Sequence, residues 1–128
     1  MAKTTLRQIS APSFTKSMEE LIKEKLPIKT AFKVKTLTNK FNDELKKFKD
    51  LRMVIIESYC VKGEDGNPIF DDGGNYQFSA ENNKGFVKEL NELLSIEIEF
   101  DAIKVSELGN MELSADMLLS LGDIVEND

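Results

Sequence analysis

Between Pro27 and Lys62 the chain reads PIKTAFKVKTLTNKFNDELKKFKDLRMVIIESYCVK. Val34, Phe41, Phe48 and Ile55 recur at a spacing of seven, and Leu37, Leu45, Leu51 and Tyr59 fall three or four residues after them. That is the pattern of a long helix with one apolar stripe. The repeat is nearer about 3.5 than 3.6 residues per turn, which favours a left-handed coil against a partner helix. Glu44 interrupts the stripe and Leu45 takes its place. A stripe of this length must be covered by something.

Composition narrows the chemistry. Histidine is absent from the 128 residues, and Cys60 is the only cysteine. The commonest general base, the commonest metal ligand and any internal disulfide are therefore missing. No cofactor and no enzymatic activity are expected. No run of about 18 apolar residues is present, so no membrane span is expected. MAKTTLRQIS lacks the apolar centre of a signal peptide, which points to the cytosol. The length corresponds to one domain.

The net charge of −6 conceals an asymmetry. Residues 1–62 carry 14 Lys/Arg against 7 Asp/Glu, and residues 63–128 carry 3 Lys against 16 Asp/Glu. Such halves attract one another, within one chain or between copies. Alternatively the basic half meets nucleic acid and the acidic half a basic protein surface.

In chain order, residues 1–12 read as a flexible arm with one short extended segment at Thr5–Ile9. Ser13–Lys25 reads as a short helix with Phe14, Met18, Leu21 and Ile22 on one face. Pro27 breaks the chain and suits the first turn of the long helix, and Gly63 ends it. Residues 63–79 are turn-rich. Ile69-Phe70 and Tyr76-Gln77-Phe78 flank Asp71-Asp72-Gly73-Gly74, which predicts a β-hairpin.

Ser79 caps a return helix over residues 80–95, with Phe86, Leu90, Leu93 and Leu94 as its apolar face. This helix reaches back along Leu45–Tyr59 and leaves Phe32–Phe41 uncovered. Ile96, Ile98 and Phe100 then alternate with Glu97, Glu99 and Asp101, a half-buried strand. Ile103 and Val105 extend it after a kink. Gly109-Asn110 is a turn. Ser114 caps a helix over Ala115–Leu121, Gly122 stops it, and Glu126-Asn127-Asp128 reads as an acidic tail.

Three pieces in this order carry a resemblance. They are Leu26-Pro27-Ile28-Lys29 leading into Phe32-Lys33-Val34; Gly63-Glu64-Asp65-Gly66-Asn67-Pro68 with Asp72-Gly73-Gly74-Asn75-Tyr76; and Glu89-Leu90-Asn91-Glu92-Leu93-Leu94 followed by the alternating strand and the Ser114–Leu121 helix. Together, over about residues 26–122, they resemble small uncharacterised proteins of tailed bacteriophages and prophages. The resemblance implies a viral origin, a helical-hairpin shape and a place in the host cytoplasm or the virion. It carries over no catalytic residues. A weaker likeness is to prefoldin-type subunits, which also set a β-hairpin between antiparallel helices.

Several constellations of polar residues have plainer readings. Asp65, Asn67, Asp71, Asp72 and Asn75 suggest calcium, but counting from Asp65 puts Ile69, Phe70 and Tyr76 where an EF-hand needs an oxygen ligand, glycine and glutamate. Turn chemistry explains them. Lys29, Lys33, Lys40 and Lys47 form a stripe suited to a polyanion, without interleaved aromatics. The row Glu97, Glu99 and Asp101 is what an outward strand face carries by default. Cys60 reads as a buried small residue.

The fold expected is therefore α+β and mainly helical: an antiparallel helical hairpin (27–95) with a β-hairpin at its tip, plus a short strand region and a C-terminal helix (96–125), all within one domain from residue 13. The function expected is non-enzymatic protein–protein interaction, as a virion assembly or structural component, with homo-oligomers among the arrangements. Phe32, Val34, Leu37 and Phe41 are the candidate partner-binding residues. Against this, the helix carrying Phe14, Met18, Leu21 and Ile22 folds back and covers the same patch. The alternatives are a host-enzyme inhibitor whose acidic half imitates nucleic acid, and nucleic-acid binding through the lysine stripe.

Overall fold

The structure, a computed structural model, describes residues 2–109 and 111–127. It is mainly helical with a few short strands, an α+β layout dominated by one helix, α3 (Ile28–Tyr59). The chain divides into two compact units, where its length alone suggests one. Met1–Leu45 with Ile96–Asp128 forms the first, and Lys46–Ser95 the second.

In the first unit the N-terminal residues are a built part of the fold, not a flexible arm. Strand β1 (Ala2–Thr5) pairs antiparallel with β2 (Glu97–Phe100), with Ala2 opposite Phe100 and Thr4 opposite Ile98. Helix α1 (Leu6–Ile9) follows where an extended segment was expected. Its local signal is Thr5-Leu6-Arg7-Gln8, a capping-box spacing: the Thr5 hydroxyl accepts from the Gln8 backbone N–H at 3.3 Å. The turn it starts buries Leu6 and Ile9, which a strand would have pointed to opposite faces.

Helix α2 (Pro12–Lys23) begins on a proline, whose missing N–H costs nothing in the first turn. It buries Phe14, Ser17, Met18 and Leu21, one face at helical spacing. The first half of α3 turns Val34, Leu37 and Phe41 inward. Phe41 stands edge-on to both Phe14 and Phe100, with ring centroids 5.8 and 5.6 Å apart.

The C-terminal segment closes this core. Strand β3 (Ile103–Lys104) leads into a 3-10 turn (Val105–Leu108). Helix α4 (Ala80–Leu94) belongs to the second unit, and α5 (Ala115–Leu121) to the first. After α5 and a 3-10 turn (Gly122–Ile124), strand β4 (Val125–Glu126) pairs parallel with β3. The expected acidic tail is thus partly a strand. Ile103, Leu108, Leu121 and Ile124 are all buried. Gly122 stops α5 at φ +56°, and a Cβ there would run into the Gln8 amide. Asn110 of the expected Gly109-Asn110 turn, and Asp128, lie outside the described residues.

The second unit holds the end of α3, the turn-rich segment and α4. The β-hairpin appears in reduced form, as two tight turns closed by isolated antiparallel bridges, Lys62 to Pro68 and Phe70 to Tyr76. Gly66 and Gly74 take positive φ, the left-handed positions these turns require. Val61 joins the turns, donating to the Gln77 carbonyl at 2.7 Å and accepting from the Ile69 N–H at 2.9 Å. Phe70 packs on Tyr76 and Phe78 stacks on Phe86 of α4. Ser79 caps α4, accepting from the Asn82 N–H at 3.1 Å. Where α4 meets α3, the Tyr59 ring lies so close to Gly85 that a Cβ would come within 2.5 Å of it. A hydrogen bond to the Glu89 side chain raises the pKa of Tyr59.

Two stability changes follow. Phe41→Ala leaves a void between two rings, and chemical denaturation should register a loss of about 3 to 5 kcal/mol. Gly85→Ala gains about 1 kcal/mol of helix propensity but overpacks Tyr59, a penalty of about 1 to 3 kcal/mol. The net result expected from the same measurement is destabilisation.

Candidate interaction surfaces

Helix α3 carries the candidate residues, and the structure separates them. Val34, Leu37 and Phe41 are buried in the first unit. The covering by α2 prevails for these three: Phe14, Met18 and Leu21 are buried with them, and Ile22 is left partly exposed. The physical reason is the aromatic contact of Phe14 and Phe100 with Phe41, which fills the space a partner would have taken. As partner-binding residues Val34, Leu37 and Phe41 are therefore corrected to core. Phe32 alone remains outside, 75% exposed, and Ile28 one turn earlier is 84% exposed. Beside Phe32 a groove of about 450 Å³ is lined by Lys33, Thr36, Leu37, Lys40 and Phe100.

The lysine stripe is likewise divided. Lys29 is exposed at the start of α3. Lys33 pairs with Glu107 at 3.1 Å, and Lys40 donates to the backbone carbonyl of Glu99. Lys47 belongs to the second unit. The basic and acidic halves of the sequence thus meet within one chain, at Lys33–Glu107 and again at Lys3–Glu97, 3.6 Å.

Glu107 is the hub of the first of these contacts. One carboxylate oxygen accepts from the Lys104 backbone N–H at 3.0 Å and from Lys33 at 3.1 Å. Its backbone carbonyl accepts from the buried Thr30 hydroxyl at 2.6 Å. The Lys104 N–H, then Lys33, hold the Glu107 carboxyl below its ordinary pKa.

The remaining candidates follow their plainer readings. Asp65 accepts from the Asn67 N–H at 3.0 Å, which holds its pKa down, and Asp71 accepts from the N–H groups of Gly73 and Asn75, both at 2.9 Å. These carboxylates serve their own turns. Among the described residues no group of three or more Cys, Asp or Glu is placed to hold a metal ion. Glu97, Glu99 and Asp101 are exposed, and Cys60 is buried. No helix among the described residues is long and apolar enough to cross a membrane.

A further apolar surface lies where core was expected. In the second unit Leu51 is 49% and Val54 58% exposed, while Ile56 and Cys60 form the buried face. At 100° per residue Leu51 and Val54 point roughly 140° and 160° away from Ile56. The signal was available in the Ile56/Cys60 spacing of four, which fixes a face that neither residue shares.

No known protein family matches the chain, and comparisons with curated proteins and with solved structures return no match.

The Glu107 contact yields a pH-dependent expectation. Folding lowers its pKa, so its contribution is present above the ordinary carboxylate value of 4.5 and is lost as pH falls through the depressed folded value. Lys33 and Glu107 are partly exposed, so Glu107→Gln should cost only about 0.5 to 1 kcal/mol at neutral pH. Denaturation titrations repeated toward acid should find that difference vanishing once Glu107 is protonated in both states.

Proposed function

We propose that the chain is a non-enzymatic interaction protein that docks onto another protein through the exposed start of α3. The observation that carries this reading is Phe32, three-quarters exposed one helical turn after the still more exposed Ile28. Scattered surface apolar residues are ordinary, but two large ones adjacent on one helix face, beside a groove, make a contact point. Aromatic anchors seated in pockets supply most of the energy at protein interfaces. Lys29 and Lys35 flank the pair and favour an acidic rim on the partner.

A place in a viral particle, as an assembly or structural component, is the form of this proposal favoured by the resemblance of residues 26–122 to tailed-phage proteins. Nucleic-acid binding through the lysine stripe is weakened by the engagement of Lys33 and Lys40 with the chain's own acidic segment. Inhibition by nucleic-acid mimicry rests on the acidic half, residues 63–128, with 16 Asp/Glu against 3 Lys.

A photo-crosslinking amino acid placed at position 32 tests the proposal in cells that make the protein. A discrete protein adduct is expected from position 32 and none from Lys16, an exposed α2 residue. Equal adduct patterns from both positions would overturn it.

A further inference from the structure

The most exposed large apolar side chains among the described residues are Ile28, Leu119 and Phe32, at 84, 81 and 75%. They fall in two segments of opposite charge. Residues 25–42 hold five lysines and no acid, and residues 105–127 hold five acids and no base. Both segments belong to the first unit.

The two surfaces match residue by residue. On α3, Lys29 and Lys35 stand three residues before and after Phe32, about 60° to either side of it, and Ile28 lies about 40° away. All four are exposed. On α5, Asp116 stands three residues before Leu119, about 60° from it, and Asp123 follows in the turn that ends the helix. Both aspartates are exposed, and Leu118 is 45% exposed. Helix α5 is held by its other face, where Leu121 is buried and the Ser120 hydroxyl meets that of Ser17 in α2.

Lys29, Lys35, Asp116 and Asp123 make no salt bridge to a described residue. The charges around them cancel. Lys33 is paired with Glu107, and Lys40 balances Asp101 in the groove beside Phe32. Lys16 and Glu20 of α2 offset one another in the cleft they share with Asp116. An apolar centre flanked by two lysines thus stands on the same chain as an apolar centre flanked by two aspartates.

We infer that the occupant of the Phe32 surface is α5 of a second copy of the chain, with Leu119 against Ile28 and Phe32, and Asp116 and Asp123 against Lys29 and Lys35. The inference rests on the reading of Phe32 as a contact point and names what that point meets. The contact joins two different faces, so it is directional. Each copy keeps one face for the next, unless rotation closes the set. Few side chains take part, so a single contact is weak, with a dissociation constant on the order of 10 to 1,000 μM, and gains strength by repetition.

Sedimentation equilibrium of the full chain up to about 1 mM tests the inference. The weight-average mass should climb above the 14.5 kDa chain mass as concentration rises. Phe32→Asp and Leu119→Asp should each raise the dissociation constant about 30-fold or more, holding the mass near that of one chain. Both side chains are exposed, so far-UV circular dichroism should be unchanged. Mixing the two variants should restore a species of twice the chain mass, because one intact pair of faces remains. Reversed charges give the sharper reading. Lys29→Glu with Lys35→Glu, and Asp116→Lys with Asp123→Lys, should each fail to associate alone and should associate when mixed, since every contact between the two proteins then joins opposite signs. A wild-type chain of single mass at every concentration, association that survives either aspartate substitution, or reversed-charge proteins that stay apart when mixed would overturn the inference. In cells, a position-32 crosslink to a different protein alone, with no adduct of twice the chain mass, would overturn the second copy as occupant and leave Phe32 a contact point. No adduct at all would overturn both.

Discussion

Three phenylalanine rings hold the larger unit together. Phe14 comes from α2, Phe41 from the middle of α3 and Phe100 from β2, and Phe41 meets the other two edge-on. Each ring fixes the element that carries it. Phe100 is held inward by the register of β2 against β1, in which Ala2 stands opposite Phe100. A one-residue slip would turn Phe100 and Ile98 to solvent and bring Glu97 and Glu99 inside. The N-terminal strand is therefore needed for the packing of residues nearly a hundred positions away. The contact that closes the core also covers the middle of α3, and leaves its beginning, Ile28 and Phe32, exposed.

The charge asymmetry of the sequence is partly resolved inside this unit. Glu107 ties α3 to the segment after β3 through its carboxylate and its carbonyl, while Lys3 faces Glu97 across the β1–β2 pair. The exposed Lys3–Glu97 pair adds little stability, because water and salt screen it. The contact of Thr30 with the Glu107 carbonyl matters more, since a buried hydroxyl without a partner is costly. These links favour one placement of the acidic C-terminal segment over others. They also explain why a lysine stripe read as a polyanion site is in part a set of intramolecular anchors.

Much of the fold was legible because it is written in local signals. Ser79 and Ser114 cap the helices that follow them, Gly122 ends α5, and the alternation of Ile98 and Phe100 with acids marks β2. Less legible were features that depend on distant partners. Strand β1 has no apolar alternation of its own and exists through pairing with β2. The parallel pairing of Ile103 and Lys104 with Val125 and Glu126 is two residues long, below any sequence pattern. The β-hairpin signal was correct in its turns and too generous in its strands, because glycine and aspartate fix turns while bridge length depends on neighbours. Of the candidate site, the alternative covering by α2 was legible, but composition could not decide between it and an open patch.

The two halves of α3 exchange the roles that periodicity suggests. A heptad pattern says that a stripe will be buried, but not by what. Leu45–Tyr59 seemed secure because a return helix follows it, yet one helix covers only one face, and burial is confined to Ile56 and Cys60 while Leu51 and Val54 stay exposed. Phe32–Phe41 seemed open because α4 is short, yet α2, β2 and the C-terminal segment lie over most of it. A single helix passing through two units carries one repeat through two different environments. The repeat is satisfied within the chain where three layers are available, and left unsatisfied where there is one. That imbalance leaves Leu51 and Val54 of the later half exposed, where the sequence repeat alone marks Leu51 for burial.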